Sequence, residues 1–258
     1  MLSFGAMKQI IRASLSIIAF LVVWEIIARI GFIHISLFPP PTRVAVAFLE
    51  MAQSGELLRD VQASLWRAFV GLALGSILGV VVGLVTGRIE RINNYLSPII
   101  QIFRPLPPVA IIPLVIVWFG IGETSKLFSI GFAVFFPVWV NTHIGAREIP
   151  KTYLWSAQTL RVRRFELFWR VIFPGALPFI VAGFRTGIAI AFVMVFVSEL
   201  AGASAGIGYQ ISVSHLAYRV DRMIAALILL GLFGASADLI LTRLLWAAFP
   251  WLKLLGQK

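Results

Sequence analysis

The sequence contains no cysteine, which excludes disulfides, thiolate metal sites and thiol catalysis at once. Acidic residues are scarce, 11 Asp and Glu against 22 Lys and Arg, and they form no catalytic cluster. The three histidines, His34, His143 and His215, lie in separate segments with no His-x-x-x-His spacing, so a metal-dependent membrane enzyme is not indicated. A Gly-x-x-x-x-Gly-Lys-Ser/Thr phosphate loop is also missing, so the chain cannot hold ATP by that route.

What is abundant is apolar surface. Hydrophobic residues make up 60% of the 258 residues and mean hydropathy is +0.95, well above the roughly half apolar content of soluble domains. Long runs with few charges, each near the ~20 residues needed to cross a bilayer, predict an all-α polytopic membrane protein. The basic excess would suggest a polyanion partner in a soluble protein. Here it gathers at one set of helix ends, as the positive-inside bias predicts, and no basic stripe with interleaved aromatics points to nucleic acid.

A first span is expected over residues 13–32, with Glu25 and Arg29 spaced to pair on one helix face. The run Pro39-Pro40-Pro41 then breaks the helix. Helical periodicity over residues 43–62 predicts an amphipathic outer helix or an ordinary exposed one. The second span, residues 65–87, carries Gly71, Gly75, Gly79 and Gly83 at every fourth position. Such a stripe lets backbones approach closely and predicts a packing seam, within the subunit or across a dimer.

Residues 98–120 form a third span that must bend or break, because Arg104, Pro105, Pro107, Pro108 and Pro113 fall within it. Arg104, Pro107 and Pro108 are candidate pore-lining residues; the alternative is a kinked packing helix with Arg104 reaching the interface. Further spans are expected at residues 126–146, 179–200 and 223–246. The fifth contains Arg185, another pore-lining candidate. Six spans with both termini cytoplasmic place Lys8, Arg88, Arg147, Lys253 and Lys258 inside, and Arg43, Arg67, Lys126, Arg219 and Arg222 outside. The whole of residues 1–258 reads as one transmembrane domain: 1–64 with the first span and outer segment, and 65–250 as a five-span core interrupted by a loop at 147–178.

That loop reads Leu160-Arg-Val-Arg-Arg-Phe165-Glu-Leu-Phe168-Trp-Arg-Val171-Ile-Phe-Pro174-Gly-Ala-Leu-Pro178. It resembles the cytoplasmic loop of binding-protein-dependent ABC importer permeases, whose pattern is Glu-Ala-Ala, two residues, Leu-Gly, then spaced Phe, Val or Ile, and Leu-Pro. Ala157, Leu160, Phe168, Val171, Pro174 and Pro178 align without a gap. Trp155 and Ser156 replace the Glu and first Ala, and Arg161 takes the place of the Gly, where a left-handed turn disfavours a side chain. Leu37-Phe38-Pro39-Pro40-Pro41, Arg104-Pro105-Leu106-Pro107-Pro108 and Ile116-Val117-Trp118-Phe119-Gly120 are similar to the permeases for sulfonates, taurine and nitrate.

The resemblance implies a type I importer permease of the bacterial inner membrane, with Ala157, Leu160, Arg161, Arg164, Phe165, Phe168, Val171 and Pro174 in an ATPase-coupling loop. It implies ABC-type ATPase subunits that carry ATP and Mg, a periplasmic or lipid-anchored solute-binding protein, and a second permease copy, most simply as a homodimer. The chain itself would need no cofactor. Pore-facing Arg104 and Arg185 would favour an anion such as a sulfonate, taurine, nitrate or bicarbonate; interface-facing ones would say nothing about substrate. A self-sufficient secondary transporter or channel is the alternative, opposed by the lack of an inverted repeat and by the basic-aromatic loop.

Overall fold

The computed structural model describes residues 4–31 and 33–248, and every regular element among them is helical. The expectations for Phe32, Lys253 and Lys258 lie outside the described residues, as does that for the side chain of Lys8. α1 (Phe4–Ile30) coincides with most of the expected first span and turns apolar side chains from Leu15 to Ile30 outward. Its Glu25 carboxylate pairs with Arg29 at 2.6 Å and accepts from the Thr42 amide at 3.1 Å. That amide belongs to the first turn of α2 (Pro41–Gln53), where a helix has no internal acceptor to offer it. The Glu25–Arg29 pair therefore fastens α1 to α2 at Thr42.

Left-handed Gly55, with φ 77°, ends the α2 segment and opens α3 (Glu56–Arg88), a continuous helix of 33 residues. This corrects the expected break between residues 62 and 65. Arg67, expected on the outer side, is buried together with the polar residues Asp60 and Ser64 of the same helix. The glycine stripe of α3 lies against α6 (Glu123–Arg147). A methyl group on Gly75 would come within 2.5 Å of the Gly131 carbonyl oxygen and 2.8 Å of Val134. Gly71, Gly79 and Gly83 meet Ile130, Val138 and Thr142 in the same way. The seam is internal to the subunit, so the stripe says nothing about a dimer.

α4 (Glu90–Phe103) and α5 (Ile112–Phe119), the latter preceded by a 3-10 turn over Pro108–Ile111, make the broken third span. They bend by 85° at the Arg104 to Pro107 linker. The prolines withdraw the N–H groups that would carry the helix through the linker. The first half begins at Glu90, upstream of the expected residue 98, and keeps Pro98 inside the helix.

α7 (Lys151–Thr159) and α8 (Arg164–Leu167) follow α6, and a π-turn over Phe168–Ile172 joins α8 to α9 (Phe173–Leu200). The fifth span thus starts inside the expected loop rather than at residue 179. Pro174 cannot donate to the carbonyl of Arg170, and the wider π spacing in the turn just before it accommodates that gap. α10 (Ile207–Leu216) and α11 (Val220–Ala248) complete the chain.

Among the described residues four helices are long and apolar enough to cross a membrane, or up to five if the bent pair is one span. The core lies where α3, α6 and α9 meet, with Leu72, Ile130, Val134, Val138, Ile188, Ala191 and Val195 all buried.

Candidate functional sites: a coupling segment, a buried charge network and an ion-paired groove

The end of the bundle that carries α7 and α8 is built around an uncommon turn. Arg161 has φ 52°, while the Val162 amide reaches back to the Ala157 carbonyl at 3.0 Å and Leu160 to Ser156 at 3.0 Å. This is the left-handed helix stop usually occupied by glycine, and it folds α7 back towards α8. Arg161, Arg163, Arg164, Phe165 and Leu160 all project from the turn into the open. Phe165, Phe168, Trp169 and Phe173 form a run of ring contacts at 5.2 to 6.3 Å that stiffens the passage from α8 to α9.

The expected coupling residues divide between two surfaces. Ala157, Leu160, Val171 and Pro174 line a cleft of about 770 Å³ between α7 and the start of α9, together with Tyr153 and Phe179. Arg161, Arg164 and Phe165 stand on the exposed crest, and Phe168 is half-buried beneath it. Arg104 and Pro107 are exposed at the α4–α5 bend, with Pro108 half-buried, and none of the three lines the groove that contains Arg185.

At the opposite end, charges expected only to set topology are buried instead. Arg67, 4% exposed, donates to Glu199 at 2.7 Å, to the Ala205 carbonyl at 2.6 Å and to both carboxylate oxygens of Glu123 at 2.7 and 2.8 Å. Glu199, 1% exposed, also accepts from the Ser64 hydroxyl and the Gly208 amide, each at 2.8 Å. Asp60 accepts from the Gly206 amide at 2.8 Å and the Gln210 side chain at 2.6 Å. Gly206, at φ 131°, allows the 201–206 turn to wrap the carboxylate; a Cβ there would collide with Glu199. The network locks α3, α6, the end of α9 and the start of α10 together. Sequence reasoning missed it, although Asp60, Ser64 and Arg67 share an i, i+4, i+7 face that could have signalled it.

Beside it, Glu50 of α2 accepts from Arg219 and Arg222, each at 3.1 Å. Hydrogen bonds from Arg219 and then Arg222 hold the Glu50 carboxyl below its ordinary range. Bonds to Asp221 and then Glu50 hold the Arg219 guanidinium above its own. This clamp joins α2 to the start of α11.

Arg185 lies on α9 and forks onto Asp238 of α11, Nε to Oδ1 at 2.8 Å and the second nitrogen to Oδ2 at 2.9 Å. The pair lines an open groove of about 890 Å³ between the two helices, among Ala182, Thr186, Ala189, Gly231 and Ala235. Asp238 did not stand out in the sequence because it sits alone in an apolar run; its partner is 53 residues away.

Long apolar helices packed on a glycine seam, with charges paired at their ends and one basic-aromatic segment projecting, define a multi-pass membrane protein. Residues 56–245 match the family described as binding-protein-dependent transport system inner membrane component, and the chain belongs to that family. It is therefore an ABC importer permease, a non-enzymatic component of the inner membrane. It is similar to the putative aliphatic sulfonates transport permease protein SsuC of Bacillus subtilis, 33% identical over 235 residues covering 91% of this chain and 84% of the relative. The taurine transport system permease protein TauC of Escherichia coli is 30% identical over 249 residues, covering 95% and 90%. Among solved structures, the inward facing MetNI methionine ABC transporter aligns with a TM-score of 0.64 at 22% identity over 76% of this chain and 97% of that chain, a likeness of fold.

Proposed function

We propose that the chain is the membrane-spanning subunit through which an ATP-driven importer moves a small organic anion, a sulfonate or taurine in the first instance, into the cytoplasm by alternating access. ATP and Mg reside on separate ATPase subunits that dock on the α7–α8 segment. An external solute-binding protein delivers the anion to the end that bears α2 and the 201–206 turn, both termini are cytoplasmic, and two copies of the permease enclose the path. The names of the two curated relatives favour a sulfonate-type substrate. Arg185, a cation in the middle of a span and open to a groove, agrees with it.

One observation carries the reading. α8 passes into α9 without a loop, so force applied to the exposed crest at Arg164 and Phe165 is delivered to the helix that bears Arg185. A hinge between α8 and α9 would absorb such a displacement; a stiff helix transmits it. The test is co-purification of the ATPase with the permease, followed by uptake. Phe165→Ala with Trp169→Ala is expected to release the ATPase and abolish uptake while the permease remains folded. Retention of the ATPase by this variant would contradict the docking site.

A further inference from the structure

The Arg185–Asp238 pair is bidentate, yet its side chains remain 51% and 36% exposed. The rest of the groove wall is small or apolar, so the pair is open to any molecule that enters. The other face of α9, with Gly183, Gly187, Ala191 and Val195, is buried against α6 and α3. Mid-span charges left open to hydrocarbon are disfavoured, which directs the groove towards water or a solute.

A lone guanidinium against such small and apolar walls would be only partly hydrated whenever no anion was present. A carboxylate held in place removes that penalty for as long as no solute is bound. The same pair is a polar tie across a seam where α11 packs on α9 far less than α6 does. We propose that Asp238 is the resident counter-anion of Arg185, and that the acidic head group of the transported solute takes its place. Solute entry then exchanges one acidic group for another on Arg185, turns the freed Asp238 carboxylate, already partly exposed, to the water of the open groove, and unfastens α11 from α9. Asp238 is thus a positioning residue and Arg185 the solute contact. The exchange rests on the anion-import reading above; the tie between the helices does not.

The absence of cysteine gives a clean background for the test. Ala189→Cys and Ala235→Cys, on facing turns of α9 and α11 beside the pair, are introduced together, and thiol cross-linking is followed in proteoliposomes holding the permease, its ATPase and its solute-binding protein, with labelled ethanesulfonate as the probe. Asp238→Asn is expected to slow cross-linking about tenfold, within the usual range of coupling between sites. Ethanesulfonate is expected to slow it in the parent pair and to have no further effect in Asp238→Asn. Asp238→Glu should keep both behaviours, which separates loss of the tie from misfolding. The swapped protein, Arg185→Asp with Asp238→Arg, should regain cross-linking without regaining uptake.

Cross-linking indifferent to Asp238→Asn and to ethanesulfonate would overturn the proposal. So would wild-type uptake by the swapped protein, because the cation would then have no fixed place on α9. If the unsubstituted importer takes up no ethanesulfonate, the anion reading and the exchange fail together, and the tie is judged by cross-linking alone.

Discussion

Arg67 and Gly75 differ in chemistry, but each holds α3 in place through something a neighbour cannot give up. Arg67 neutralises Glu199, which is fully buried. Arg67→Met would leave that carboxylate buried without a cation, a loss of ~3–5 kcal/mol. Thermal unfolding in detergent should show a large drop in Tm; an unchanged Tm would mean that the network carries little stability. Gly75 faces the Gly131 carbonyl with no room for a methyl group, so Gly75→Ala should destabilise by ~1–3 kcal/mol through overpacking. Gly231→Ala is the control, since nothing lies within 4 Å of the added carbon. Equal effects at the two glycines would refute the seam.

The elements are joined by devices that differ in how much of them can be read from the sequence. At the stop of α7, Arg161 holds a left-handed φ of 52° that costs a side-chain-bearing residue ~1–2 kcal/mol. Arg161→Gly should therefore stabilise the turn, seen as slower amide exchange at Val162, whereas Arg161→Val should speed it. The departure from the glycine of the family pattern was visible in sequence, and so was its conformational consequence. The clamp on α2 was not, because Glu50 and Arg219 are 169 residues apart. Glu50 is held below its ordinary pKa, so it binds fewer protons folded than unfolded at intermediate pH. Its contribution is full above the ordinary carboxylate range and is lost as pH falls through the lowered folded value. Amide protection factors in α2, corrected for the intrinsic pH dependence of exchange, should fall on acidification, and Glu50→Gln should remove that fall; an acid response surviving in Glu50→Gln would place its origin elsewhere.

Over the whole molecule, periodicity and hydropathy made the spanning helices legible because lipid demands long apolar runs whatever the tertiary packing. The glycine stripe and the proline break were legible too, since each acts on the backbone locally. Sequence distance hid the rest. Arg67 read as an outer charge that sets topology until Glu199 and the 201–206 turn are brought over it, together with Asp60 and Ser64. Arg185 stood out as an isolated charge, but its meaning depends on Asp238, which only the meeting of α9 and α11 supplies. Uptake by reconstituted protein tests the central claim most directly. Proteoliposomes holding the permease, ATPase and solute-binding protein should accumulate labelled taurine or ethanesulfonate against a gradient only when ATP is enclosed with the ATPase, and the permease alone should move none. Equally fast movement of solute through the permease without the ATPase would contradict the account.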